Sequence, residues 1–180
     1  MKRKHPFNMI EIMLALGVCA IGITSIMVLF PVGSAATRDA AMETYAAHAA
    51  DQMLHMLKYK MITSWDTGIV PATNPQDDSI TTGAGWGGAE PEMDTIFKHS
   101  TASGVYQVIS DRGTTPSLTS ENIDFRSIMF VWLTDISIVG NQNIGITLNI
   151  EVTWPAELPY ASRQKGYYSL EVFNPNYVAP

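Results

Sequence analysis

The carboxylate of Glu11 is the first group in this chain whose position asks for chemistry. It stands near the start of a near-unbroken apolar run, Phe7 to Phe30 (FNMIEIMLALGVCAIGITSIMVLF), directly after a cationic leader, Met1-Lys2-Arg3-Lys4-His5-Pro6. A carboxylate at the centre of a bilayer-length helix costs on the order of 2.5–3.5 kcal/mol, less near the end of the span, and calls for a partner. The chemistry on offer is charge pairing with a positive group from another copy of the same helix. A free α-amino group at Phe7 would serve if the leader were removed; with the leader in place, Lys4, Arg3 or His5 of a neighbour would have to.

Other residues offer less. Asp77 with Asp78, or Asp135 with Glu151, are the pairs open to acid–base work, but nothing in the sequence sets either beside a nucleophile. His48 and His55 lie seven apart with no third ligand in register, which describes solvated or packed side chains rather than a metal site. Asn74, Asp77 and Asp78 could give oxygen ligands to calcium, although their spacing matches no EF-hand loop and a solvated acidic turn explains them equally well. The glycines between Gly83 and Gly88 lack the strand–loop–helix context of a nucleotide site. Enzymatic activity is not expected.

The elements that must position Glu11 begin with the apolar run itself. Ile12 to Phe30 is nineteen residues without a charge, which at about 1.5 Å per residue spans roughly 28 Å, the thickness of a bilayer core. That exceeds the roughly 7–15 residues of a signal-peptide core, and no cleavage site followed by a fresh domain comes after it. A positive leader keeps the N-terminus cytoplasmic and exports the remainder. Net charge is −6, and setting aside Lys2, Arg3 and Lys4 leaves −9 for everything after Pro6. An acidic exported body argues against nucleic acid as a partner, because phosphate binding needs a basic face. The single cysteine, Cys19, lies inside the apolar run and can form no intrachain disulfide.

The basic leader followed by Phe7-Asn8-Met9-Ile10-Glu11-Ile12-Met13-Leu14-Ala15-Leu16 resembles the N-terminal motif of the type IV pilins and type II secretion pseudopilins. The resemblance covers about the first thirty residues. It implies cleavage between Pro6 and Phe7 by a membrane-embedded prepilin peptidase, N-methylation of Phe7, and pairing of Glu11 with the N-terminus of a neighbouring subunit as a filament grows from an inner-membrane assembly platform driven by an ATPase. It also implies that the helix unwinds near Pro31 and Gly33 in the assembled filament, and it adds weight to calcium, which some major pseudopilins bind in their globular domain. The chain departs from the family at Pro6, where a glycine nearly always precedes the cut; proline fixes φ and alters the backbone a peptidase must grip.

Pro31 and Gly33 weaken a helix at an interior position on their own account. Beyond them, from Ser34 to about Ile62, the helix resumes with Ala36, Ala40, Ala47, Ala50, Leu54, Leu57 and Met61 at amphipathic spacing. A helix from Phe7 to Ile62 would be roughly 84 Å long, so half of it must find partners outside its own domain. Residues 65–102 read as a Gly/Pro-punctuated loop. Four strands follow: Val105 to Ser110, Ser127 to Thr134, Ile144 to Thr153 and Tyr167 to Phe173. In the third, Ile144, Ile146, Leu148, Ile150 and Val152 share one face, for which the second half of the helix is the natural cover.

The organisation expected is therefore a leader (1–6), an apolar helix half (7–33), an amphipathic helix half (34–64), a loop (65–102) and an antiparallel sheet domain (103–180). The fold class is α+β, pilin-like, with the first helix half spanning the membrane and the second packed on the sheet. The functional expectation is a structural subunit that polymerises with copies of itself into a pilus-like filament, at the inner membrane before assembly and periplasmic or at the cell surface afterwards. It needs no cofactor, calcium being the single candidate. The alternative is a non-polymerising, single-span anchored binding protein.

Overall fold

A computed structural model describes residues 8–65, 70, 71, 73–76, 80, 85–90, 93–111, 118, 123–138 and 142–177. Its one α-helix, α1, runs Met9–Thr63. Alanine, leucine and methionine, all strong helix formers, dominate its sequence. Lys60 places a positive charge in the last turn, where the helix dipole favours it. The hydroxyls of Thr24 and Ser25 donate to the carbonyls of Ala20 and Ile21 at 2.8 and 2.9 Å. Each polar side chain thus spends its donor inside the helix, as a hydrocarbon surrounding would demand.

In the single chain α1 continues unbroken through Pro31 and Gly33, the two positions read as helix-weakening. Proline removes one backbone donor from the ladder, and the turn around it keeps its other bonds. Ser34 Oγ donates to the Pro31 carbonyl and Thr37 Oγ1 to that of Gly33, both at 2.9 Å.

The chain divides into two compact units, Met1–Ala41 and Met42–Pro180. In the second, residues of α1 from Met42 onward pack against a six-stranded antiparallel sheet, giving an α+β layout. The strands are β1 Trp86–Glu90, β2 Met93–His99, β3 Val105–Asp111, β4 Ile123–Ile138, β5 Gln142–Trp154 and β6 Gln164–Phe173. Their spatial order follows chain order, so every connection joins neighbours.

The sheet is larger than the sequence suggested. Residues 65–102, loop-like in their Gly/Pro punctuation, contain the β1–β2 hairpin, so the sheet begins at Trp86 rather than after residue 102. Gly87 and Gly88 weaken β1, and its pairing is irregular, with register shifts on both sides of Ala89. Pro71, in the same segment, accepts a hydrogen bond from Leu133 N at 2.9 Å. Gly104 adopts φ +75° in the β2–β3 turn, where a Cβ would overlap the Val131 carbonyl and the Pro71 ring. Its own carbonyl accepts from Val131 N at 2.8 Å.

The two sheet faces bury different cores. On one, Ile146, Leu148, Ile150 and Val152 of β5 meet Ala46, Ala50, Met53 and Leu57 of α1. The alternation read in β5 and its helical cover are both present. Of the stripe expected on α1, Ala50, Leu54, Leu57 and Met61 are buried and Ala47 is half-buried, with Ala46, Ala49 and Met53 joining them; Ala36 and Ala40, which belong to the first unit, are exposed. On the opposite face Val105, Ile128 and Phe130 pack with Ile80 and Ala156. Glu151 and Thr153 are consequently buried on that side, and β5 is covered on both faces along part of its length.

Candidate functional site

The first unit carries a long run of exposed apolar side chains. Fifteen large apolar side chains from Met9 to Val32 are exposed, Ile10 and Leu14 at 70% and Phe30 at 77%. At about 1.5–3 kcal/mol for each such side chain removed from water, leaving this face in water is too costly to be the working state. By length and composition α1 can cross a membrane, and none of its most apolar window is buried.

Glu11 lies in the first turn of this helix. Asn8 stands at the cap position, its carbonyl accepting from Glu11 N at 2.9 Å and Ile12 N at 3.3 Å. The Glu11 side chain turns back, and the Asn8 backbone N–H donates to its Oε2 at 3.2 Å. This is the returning half of a capping box, placed where the positive end of the helix dipole attracts an anion. The contact gives Glu11 a use within one chain, which the sequence reading missed although Asn8 and Glu11 have capping-box spacing. Pro6 and Phe7, the expected cleavage and methylation positions, lie outside the described residues.

The remaining candidates do not converge. Asp77 and Asp78 lie outside the described residues; Asn74 Oδ1 accepts from the Gln76 N–H at 3.1 Å, closing a local turn. Among the described residues no group of three or more His, Cys, Asp or Glu side chains is placed to hold a metal ion. His48 is exposed, and His55 faces Asp51 one helical turn away at 3.4 Å in an exposed pair. Asp135 and Glu151 fall on opposite faces of the sheet, since Asp135 follows the parity of Met129, Val131 and Leu133 on the helix side.

Glu151 instead belongs to a buried polar cluster that the sequence did not announce. It is 1% exposed and accepts a short hydrogen bond from the Tyr160 hydroxyl. Lys165 Nζ sits 3.6 Å from the centre of the Tyr160 ring, a cation–π contact. Burial, and then the bond to Glu151, push the Tyr160 hydroxyl well above the usual tyrosine range. Nearby, the buried Arg163 guanidinium donates from Nε to the Leu158 carbonyl at 2.7 Å, and from Nη2 to those of Ala156 at 3.1 Å and Ile80 at 3.4 Å. These contacts hold the β5–β6 connection onto the second sheet face and anchor Ile80 beneath it. A single glutamate and a single arginine scattered in polar stretches carry no motif, so only the pairing of strands could reveal them.

No protein-family model, curated protein or solved structure matches this chain. Fold and site together define an α+β protein whose antiparallel sheet is packed by the second part of a helix. The first part of that helix is long and apolar enough to cross a membrane.

Proposed function

We propose that this chain is a structural subunit of a type IV pilus-like or pseudopilus-like filament, polymerising through its N-terminal helix. The observation that carries the reading is the wholly exposed apolar face of Met9–Val32 with a single carboxylate, Glu11, at its start. A plain anchor needs the apolar face and gains little from the acid. A subunit that leaves the bilayer to join a helical bundle needs both, one for burial against copies of itself and the other for setting register by charge. In this reading the prepilin peptidase cuts between Pro6 and Phe7, the new N-terminus is methylated, and the amine of one copy meets Glu11 of another. Before assembly the chain sits in the inner membrane with its sheet domain exported.

The capping bond between Asn8 and Glu11 favours a second reading, a single-span anchored protein that does not polymerise, because it gives the carboxylate an intrachain role. Glu11→Gln separates the two. The amide oxygen still accepts the Asn8 N–H, whereas the charge that pairs with an amine is gone. Filament yield falls steeply if intersubunit pairing is the function of Glu11, and wild-type yield with Glu11→Gln would remove pairing from the mechanism.

A further inference from the structure

The sheet has two edges, and they are built differently. At one, β1 is five residues long and its pairing is broken by register shifts, the kind of irregularity that keeps foreign strands away. At the other, β6 is ten residues long and pairs with β5 from Gln164 to Phe173 without a shift. Among the described residues β6 pairs with β5 alone. Gly145 faces Phe173, and Asn174 N donates to Ile144 O at 2.8 Å, which makes Gly145–Phe173 a non-hydrogen-bonded pair. By the alternation of an antiparallel ladder, the even-numbered residues of β6 turn their backbone groups to β5. Lys165, Tyr167, Ser169 and Glu171 turn theirs to the free edge.

Two of those four carry opposite charges placed symmetrically about Tyr168. Lys165 lies three residues before it and Glu171 three after, on the same sheet face. We propose that β6 is a self-recognition edge, at which a second copy of this chain adds its own β6 antiparallel with Tyr168 opposite Tyr168. In that register the outward-facing residues become the hydrogen-bonded pairs. Lys165 of each copy meets Glu171 of the other, and Tyr167 meets Ser169, each pair occurring twice. A slip of two residues in either direction separates both charge pairs, so the charges select one register. An edge protected by charge alone needs only one sign, because like charges repel an incoming copy; here both signs stand equidistant from the centre and attract one. The side chains concerned are accessible, Tyr167 at 65% and Ser169 and Glu171 exposed. The contact is isologous and closed by its two-fold axis, so it does not depend on the filament reading and cannot itself propagate a polymer.

The test uses the full chain in detergent micelles, with Cys19→Ala as background and two differently tagged variants, Tyr167→Cys and Ser169→Cys. In the proposed register residue 167 of one copy faces residue 169 of the other within disulfide reach, while 167–167 and 169–169 are offset by two residues and too far apart. Mild oxidation of the mixture is expected to give the mixed disulfide in several-fold excess over either variant alone. Adding Glu171→Lys to both variants should abolish that excess, and adding Lys165→Glu as well should restore it. Glu171 is the residue reversed first because Lys165 also contacts Tyr160. Equal cross-linking in the mixture and in the single variants, or an excess that survives Glu171→Lys alone, would overturn the proposal.

Discussion

The backbone N–H of Asn8 donates to Oε2 of Glu11 at 3.2 Å, so the one acidic residue of the apolar helix segment closes the first turn of its own helix. The bond uses one oxygen. A neighbour's amine approaching the other would add a charge-assisted contact without breaking the cap. Helix capping and subunit pairing are therefore compatible roles for a single carboxylate, and substitution can separate them. Glu11→Gln keeps a cap and loses the charge; Glu11→Ala loses both. Equal, steep losses of filament yield in the two variants locate the function in the charge. Loss in Glu11→Ala alone locates it in the cap, worth about 1 kcal/mol of local helix stability.

Tyr160→Phe removes the donor to Glu151 and leaves a buried carboxyl group short of a partner. The expected cost is about 1–3 kcal/mol, read as a lower midpoint in denaturant with the slope unchanged.

The same tyrosine sets an alkaline limit. Its hydroxyl pKa is raised on folding, so the folded state holds its proton where the unfolded chain, with a value of about 10, releases it. The stabilisation is complete below about pH 10 and is lost as pH rises through the folded value. Thermal melts between pH 8 and 11 should show stability declining above about pH 10, and a shallower decline in Tyr160→Phe.

Leu57 is 1% exposed between helix and sheet, while Leu14 is 70% exposed in the apolar segment. Leu57→Ala should destabilise the sheet unit by about 2–5 kcal/mol. Leu14→Ala should leave the melting of that unit unchanged, since Leu14 belongs to the first unit and is exposed. Differential scanning of both variants in detergent checks the contrast.

Legibility in the sequence followed the strength of periodicity. The apolar run, the β5 alternation and its helical cover were readable because each repeats a side-chain period over many residues. The β1–β2 hairpin was hidden because Gly85, Gly87, Gly88 and Pro91 signal turns, and it is pairing with β3 that makes a strand of Met93–His99. The second core was hidden because Ile80, Ala156 and Tyr160 are isolated residues that meet only through tertiary packing. At Pro31 local propensity pointed to a weakened helix, and the helical bonds on either side outweighed the one donor lost. At Glu11 the charge was legible at once, and its intrachain partner became visible only with the geometry of the first turn.

The most direct measurement is mass spectrometry of material sheared from cells, paired with imaging of the same fraction. Filament assembly predicts fibres that contain this chain, with an N-terminal peptide beginning at methylated Phe7. Recovery of the chain only from membranes, with Met1 or Lys2 still at its N-terminus and no fibre in the sheared fraction, would contradict it.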